Sequence, residues 1–108
     1  MPLKRLLVCV DDSAPSAYAV KAALDLAGTH GASVTAVAVV PPYQGDLRLV
    51  GVSDIARVLR QPCEQALQSA RREAATRGLP LATACEEGEP GEAIADLAEA
   101  LRADLVIM

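Results

Sequence analysis

The clearest structural signal in the chain is the stretch Leu6-Leu7-Val8-Cys9-Val10-Asp11-Asp12-Ser13, residues 6–13. A short apolar run without polar alternation is typical of a strand that is buried on both faces, as in a parallel sheet. Open parallel sheets bind their ligands at the carboxyl ends of such strands. The stretch therefore predicts a buried first strand and a ligand-binding edge at the two carboxylates that follow it.

The composition indicates one small globular domain. The chain has 108 residues, of which 52% are hydrophobic and 2% aromatic. Its 10 basic and 14 acidic residues give a formal net charge of −4. Nucleic-acid binders use basic surfaces to neutralise phosphates and aromatic rings to stack on bases. We therefore expect no nucleic-acid partner.

Membrane and export signals are weak in this sequence. No apolar run approaches the roughly 20 residues of a membrane span. The apolar stretch after Lys4 and Arg5 stops at Asp11, which is too short for a signal peptide. We expect a cytoplasmic protein with no membrane partner.

The three cysteines are far apart in the sequence. They are Cys9, Cys63 and Cys85, and no C-x-x-C motif occurs. This spacing predicts reduced, mostly buried thiols and argues against a disulfide framework or a zinc site.

Strand-like and helix-like patterns alternate along the chain. Strands are predicted at 6–10, 33–40, 79–85 and 104–108. The first helix is predicted from the Ser13 cap to Gly28 or Gly31. Two further helices are predicted at 53–60 and at 62–77, the latter with Pro62 as its opening residue and Gly78 as its stop. A last helix is predicted after the turn at 88–91. Residues 43–52 are predicted to form a surface loop. The β-α-β-α-β-α-β order predicts an α/β fold with an open parallel sheet and helices on both faces.

The last predicted strand has an apolar edge. Its residues 105–108 are all hydrophobic, and no helix follows to cover them. An uncovered apolar edge strand is a site of association. We expect that the natural chain continues past Met108 or that a partner, such as a second copy, covers this edge.

The turn after the first strand is a poor phosphate cradle. It contains no glycine, Pro15 has no amide to donate, and Asp11 and Asp12 would repel phosphate. Neither G-x-G-x-x-G nor G-x-x-x-x-G-K-[ST] occurs in the chain. If a nucleotide binds, Asp11 is expected to meet ribose hydroxyls or a base amino group. Asp12 and Ser13 are better explained as helix caps.

No catalytic pair is evident. The single histidine, His30, lies 17 residues after Ser13, and a helix of that length separates them by about 25 Å. We therefore do not expect an enzyme. The acidic residues Glu86, Glu87, Glu89 and Glu92 are expected to form a solvated face that complements a helix N-terminus, with a divalent-metal site beside Asp11 and Asp12 as the less favoured alternative.

The strand ending Val10-Asp11-Asp12-Ser13 resembles that of phosphoacceptor receiver domains, which carry an acidic pair after their first strand. Receivers also need an aspartate at the end of strand three. The corresponding stretch here is Cys85-Glu86-Glu87-Gly88, without an aspartate. The receiver resemblance therefore covers one strand end.

A second resemblance covers nearly the whole chain. The chain is similar to universal stress proteins in three early stretches. These are residues 4–13, the end of the first helix at 26–33, and strand two, which ends in Val39-Val40 before two prolines. The most specific match is the turn at 87–90, then Ile94, then Ala103-Asp104-Leu105-Val106-Ile107-Met108. One departure is Asp12, which stands where the family commonly has a small residue.

This resemblance implies an adenine nucleotide α-hydrolase-like sheet in the order 3-2-1-4-5, here 3-2-1-4 with strand five absent. It also implies an ATP site at the carboxyl ends of strands one and four. By position, Cys9 and Asp11 would line the adenosine pocket, Val39 would contact adenine and Met108 would close the pocket. The family's phosphate loop, G-x-x-G-x(9)-G-[ST], and the strand that often forms its dimer would come after Met108.

The resemblance therefore implies that residues 1–108 are a universal stress protein-like domain, C-terminally incomplete. We expect a binding or signalling module for ATP in the stress response, with weak or no ATP binding as it stands and a homodimer or other oligomer as its assembly. The alternatives are a family member that dimerises without nucleotide and, less favoured, a receiver-like phosphorylation switch.

Overall fold

The computed structural model describes residues 3–11, 13–40 and 52–108, with the backbone alone for 52–56. Strands and helices alternate along these residues. They are β1 (Arg5–Cys9), α1 (Ala14–His30), β2 (Ser33–Val40), α2 (Val52–Thr76), β3 (Ala82–Glu87), α3 (Pro90–Leu101) and β4 (Leu105–Ile107). Asp12 and most of the loop predicted at 43–52 lie outside the described residues, whereas Val52 begins α2.

The strands form a parallel sheet in the order β3-β2-β1-β4. In this register Arg5 of β1 pairs with Ser33 of β2, and Leu6 pairs with Leu105 of β4. The predicted α/β fold class and strand order are confirmed.

The side chains of β1 alternate between the two faces of the sheet. Leu6, Val8 and Val10 pack in one hydrophobic cluster with α1 and α2. Leu7 belongs to a second cluster that includes Val37 and the α3 residue Ile94. The prediction that this strand is buried on both faces is confirmed.

The ends of α1 are set by local chemistry. Ser13 is the N-cap, and its hydroxyl accepts a hydrogen bond from the amide of Ser16. Gly31 caps the other end in the left-handed conformation, at φ 65°, and its amide donates to the Ala27 carbonyl. A left-handed cap favours glycine because it has no Cβ. Of the two predicted end glycines, Gly31 ends the helix and Gly28 lies inside it.

One prediction about the helices is wrong. The pieces expected at 53–60 and 62–77 form the single helix α2, with Pro62 inside it. Proline removes one backbone hydrogen bond and costs a helix interior about 3 kcal/mol. The exposed Pro62 is tolerated because the opposite face of α2 is buried in the core over Cys63, Ala66, Leu67, Ala70 and Ala74.

The third strand begins and ends later than its hydropathy predicts. Instead of 79–85, β3 spans Ala82–Glu87, and its last two residues pair with Val39 and Val40 of β2. The first and last residues of β3 are set by its hydrogen-bonded pairing with β2, which runs from Ala82 to Glu87. Because β3 stands at the edge of this sheet, its end can carry two glutamates.

The expectation that all three cysteines are reduced is also wrong. The structure pairs Cys63 of α2 with Cys85 of β3 in a disulfide, and Cys9 is free. The two residues are separated by 22 positions in sequence, but the crossover places their Cα atoms 6.6 Å apart. The spacing of the two cysteines in the sequence does not show that the fold brings them close together.

Candidate functional site

The strand order defines one switch point in the sheet. The chain adds β2 and then β3 on one side of β1, and it then crosses to add β4 on the other side. In open parallel sheets, ligands bind in the crevice that opens where the strand order reverses, at the carboxyl ends of the strands. Here that crevice lies between the ends of β1 and β4.

The predicted site residues come from three strands at this edge. Cys9 ends β1 and pairs with Val37, and Val39 lies two residues further along β2 on the same face. Val8 pairs with Ile107, so the next residues on the two strands are Cys9 and Met108. Met108 is 81% exposed, and Asp11 is also exposed. The fold thus gathers all four predicted residues at one edge.

Asp11 is held in place by the start of α1. Its amide donates to Ser16 Oγ at 2.9 Å. Its Oδ1 atom accepts from the Ser13 amide at 3.0 Å and from the Ser13 hydroxyl. Both of these bonds use Oδ1, and an ionised carboxylate has about four acceptor positions on two oxygens. Asp11 is therefore an oriented acceptor that can still take a hydroxyl or amino donor from a ligand.

The capping predictions have different outcomes. Ser13 is confirmed as the N-cap of α1. Asp12 lies outside the described residues. The contribution of Asp11 to the cap was not predicted, because it depends on the turn that brings Ser16 back to the Asp11 amide.

Cys9 provides an apolar wall. It packs with Leu7, Val37 and Val39 on the α3 side of the sheet. Burial raises the pKa of the Cys9 thiol above its ordinary value, because desolvation disfavours the thiolate. A protonated, partly buried thiol suits contact with a base or sugar better than nucleophilic attack.

A cavity of about 250 Å³ lies on the opposite side of the sheet, between α1 and α2. Among its lining residues are Asp11, Ser16, Lys21, Ser69 and Glu73. Asp11 is the one predicted site residue among those that line it. This cavity was not predicted from the sequence, although its lining positions on the two helices share one helical spacing, at 13, 16, 17, 20 and at 66, 69, 70, 73.

The acidic residues before α3 stabilise that helix. Glu89 is its N-cap and accepts a hydrogen bond from the Glu92 amide at 2.7 Å. Hydrogen bonds from the Glu92 and Gly91 amides lower the pKa of Glu89. Within the described residues, no group of three or more His, Cys, Asp or Glu side chains is arranged to hold a metal ion.

The fold and this edge define a doubly wound α/β domain with its candidate site at the switch between β1 and β4. Residues 2–108 match the model of the Universal stress protein family. The chain belongs to that family. It is 30% identical to Universal stress protein MJ0531 of Methanocaldococcus jannaschii over 112 residues. The match covers 97% of this chain and 63% of the relative, so the chain spans less than two thirds of the relative's length.

Solved structures share this fold. A universal stress protein in complex with cAMP superposes with a TM-score of 0.80 at 22% identity, covering 100% of this chain and 77% of that chain. A universal stress protein family protein from Arabidopsis thaliana with AMP bound superposes with a TM-score of 0.71 at 14% identity, covering 97% and 76%. None of the helices in the described residues is long and apolar enough to cross a membrane.

Proposed function

We propose that this domain binds an adenine nucleotide at the carboxyl edge between β1 and β4. The observation that carries the proposal is that Cys9 and Met108 lie side by side at the switch point, with Asp11 and Val39 at the same carboxyl edge of the sheet. Two structural relatives have cAMP and AMP bound, and these ligands share the adenosine moiety. Adenosine has an apolar ring face and hydroxyl and amino donors, which match three apolar side chains and one oriented carboxylate.

The edge favours the adenosine moiety over the phosphates. The turn after β1 presents the Asp11 carboxylate, and residues 1–108 contain neither of the common glycine-rich phosphate motifs. We propose ATP as one ligand of this site, bound weakly by these residues. AMP, cAMP and ATP should then bind residues 1–108 within about tenfold of one another, a difference of about 1.4 kcal/mol.

Calorimetric titration of the chain with AMP, cAMP and ATP tests this proposal. Asp11→Asn keeps an oxygen that can accept from the Ser13 amide but removes the charge. Since a hydrogen bond to a charged group contributes about 1.5–3 kcal/mol, this variant should bind AMP at least about tenfold more weakly. Asp96→Asn, an exposed carboxylate on α3, is the matched control and should bind like the unaltered chain.

Three results would contradict the assignment. Equal affinity of Asp11→Asn and the unaltered chain would remove Asp11 from the site. Absence of binding at millimolar nucleotide would leave the non-nucleotide alternative as the better one. ATP binding far more tightly than AMP would mean that phosphate contacts dominate the affinity.

The proposed role is binding or signalling in the stress response, without a catalysed reaction. His30 lies in the last turn of α1, whereas Ser13 caps its first turn, so these two residues do not form a catalytic pair. Incubation with ATP should release ADP at the same rate with the unaltered chain and with Asp11→Asn. A faster rate in the unaltered chain would identify an ATPase. The cytoplasmic location stays a prediction.

We also infer that residues 1–108, taken alone, self-associate through β4. β4 is an edge of the described sheet, and Leu105 and Met108 are 37% and 81% exposed there. Leu105→Lys should shift the protein toward monomer in light scattering, because a charge on an edge strand opposes pairing. Val58→Lys, at a 61% exposed position on α2, should leave the mass unchanged. A monomeric unaltered chain at high concentration would contradict this assembly.

A further inference from the structure

We propose that Cys63 and Cys85 form a reversible dithiol–disulfide site that tethers α2 to β3, with Cys85 as the sulfur that reacts with small disulfides. The bond joins the long helix on one face of the sheet to an edge strand of that sheet. This site does not include the residues proposed to bind a nucleotide, so the proposal does not depend on the proposed function.

The backbone brings the two cysteines within bridging range. Their Cα atoms are 6.6 Å apart, and disulfides usually span about 4.4–6.8 Å. Cys63 lies on the buried face of α2, and Cys85 pairs with Ala38 in the ladder between β3 and β2. Helix packing and strand register thus hold both positions, and neither needs a flexible loop to reach the other.

The two sulfurs differ in accessibility. Cys63 is 5% exposed, within the core between α2 and the sheet. Cys85 is partly exposed because β3 is an edge strand. A thiol must be reached by its reaction partner, so the reduced pair would present Cys85 to solvent and keep Cys63 behind it.

A cationic side chain lies beside the accessible sulfur. Arg60 Nη1 is 3.9 Å from Cys85 Sγ, and Arg60 is three residues before Cys63 on α2. A neighbouring guanidinium favours the thiolate, which is the form that attacks disulfides. Burial has the opposite effect on Cys9, whose pKa is raised, so the third cysteine is a poor competitor.

The reaction is a two-step exchange with a low-molecular-weight disulfide such as oxidised glutathione. The Cys85 thiolate attacks one glutathione sulfur, a mixed disulfide forms at Cys85, and one glutathione thiolate leaves. The Cys63 thiol then loses its proton and attacks Cys85 Sγ, which releases the second glutathione. Two protein thiols are oxidised, one glutathione disulfide is reduced to two thiols, and the protein bond is formed.

Closing the bond should stabilise the folded chain. Cross-linking residues 22 apart reduces the freedom of the unfolded chain. By the usual loop-length relation, and for a domain of this size, Tm should rise by roughly 15 °C on oxidation. Cys63→Ala, which cannot close the bond, should show no such rise.

The test is intact mass spectrometry after incubation in glutathione buffers and alkylation of free thiols in denaturant. The chain has three cysteines, so reduced protein should take up three alkyl groups and oxidised protein one, on Cys9. Cys63→Ala should accumulate one glutathione on Cys85. Cys85→Ala should acquire glutathione on Cys63 at least about tenfold more slowly, because Cys63 is buried.

The role of Arg60 has its own readout in the Cys63→Ala background. Arg60→Gln should slow glutathione addition at neutral pH several-fold and move the pH midpoint of alkylation of Cys85 upward. Arg72→Gln, which removes an exposed cation further along α2, should do neither. Three free thiols in folded protein under oxidising glutathione would overturn the proposal, as would equal glutathione addition to Cys63 and Cys85.

Discussion

Asp104 stands directly before β4, and its side chain acts on β1. Its Oδ2 atom accepts hydrogen bonds from the amides of Lys4 at 2.8 Å and Arg5 at 2.9 Å. Its own amide donates to the Arg5 carbonyl at 2.8 Å. Hydrogen bonds from these amides lower the pKa of Asp104, and the positive charges of Arg5 and Lys4 contribute less. At this position one carboxylate fixes the alignment of the two strands that flank the candidate crevice.

This arrangement predicts a pH-dependent stability. The folded pKa of Asp104 lies below its ordinary value of about 4, so the carboxylate stabilises the fold above that value and the effect is lost as pH falls below it. Asp104→Asn should therefore lower Tm by several degrees at pH 7 and by less at pH 3, because the contribution of the carboxylate declines as the pH falls toward its lowered folded pKa. Thermal unfolding followed by circular dichroism measures this. Asp96→Asn is the control, and a Tm deficit of Asp104→Asn that is the same at both pH values would contradict the mechanism.

Asp104 also shows that a sequence motif does not reveal which distant backbone groups a side chain will contact. Asp104 belongs to the 103–108 stretch that most specifically resembles universal stress proteins. No role for its side chain was predicted from the sequence. Its bonds to residues 99 and 100 positions earlier in the chain appear only when β1 and β4 are paired.

At the scale of the element, α1 shows how local residues set the ends of a helix. The Ser13 cap, the proline in the first turn and the Gly31 cap are all close in sequence to the backbone groups that they satisfy. The helix was therefore predictable from these residues. The second helix was not, because the burial that keeps Pro62 inside α2 comes from the sheet beneath it.

Replacing Gly28 of α1 and replacing its C-cap Gly31 by alanine should change the stability of the fold in opposite directions. Gly31 has φ +65°, so Gly31→Ala should lower the free energy of unfolding by about 1 kcal/mol. Gly28 lies inside the helix, and a Cβ there would meet no atom within 4 Å, so Gly28→Ala should raise it by about 0.5–1 kcal/mol. Urea unfolding of the two variants measures both changes. The same sign for both substitutions would refute the assigned end of α1.

At the scale of the whole molecule, the two faces of the sheet are covered unequally. Helices α1 and α2 bury a large cluster against one face, including Leu24, Leu67 and Val8. On the other face, α3 contributes one buried residue, Ile94, while Leu97 and Leu101 remain partly exposed. In the described residues, most of the tight packing is therefore on the α1 and α2 side.

This asymmetry predicts unequal costs for the same truncation. Leu67 is 2% exposed, so Leu67→Ala should lower the free energy of unfolding by about 2–5 kcal/mol. Leu97→Ala should cost no more than about 1–2 kcal/mol, because its side chain is partly in water already. Denaturant titration compares them directly. An equal loss in the two variants would show that α3 contributes as much as α2.

The features that the sequence made predictable are those in which the interacting groups are near one another along the chain. Apolar run length, helical spacing and capping residues identified the strands, most helices and the α/β order, and the family resemblance supplied the strand order. The resemblance also implied the site positions Cys9, Asp11, Val39 and Met108 at strand ends, and the apolar run into Asp11 indicated that residue independently. The structure gathers these four positions at one edge, and their roles toward a ligand stay predictions.

The remaining features depend on residues that are distant in the chain. The disulfide between Cys63 and Cys85, the limits of β3, the bonds from Asp104 to β1 and the cavity between α1 and α2 all arise when elements dock. A local pattern can specify which face of an element is apolar. It does not specify which neighbour will lie opposite a given side chain, because strand register and helix docking depend on the packing of the whole domain.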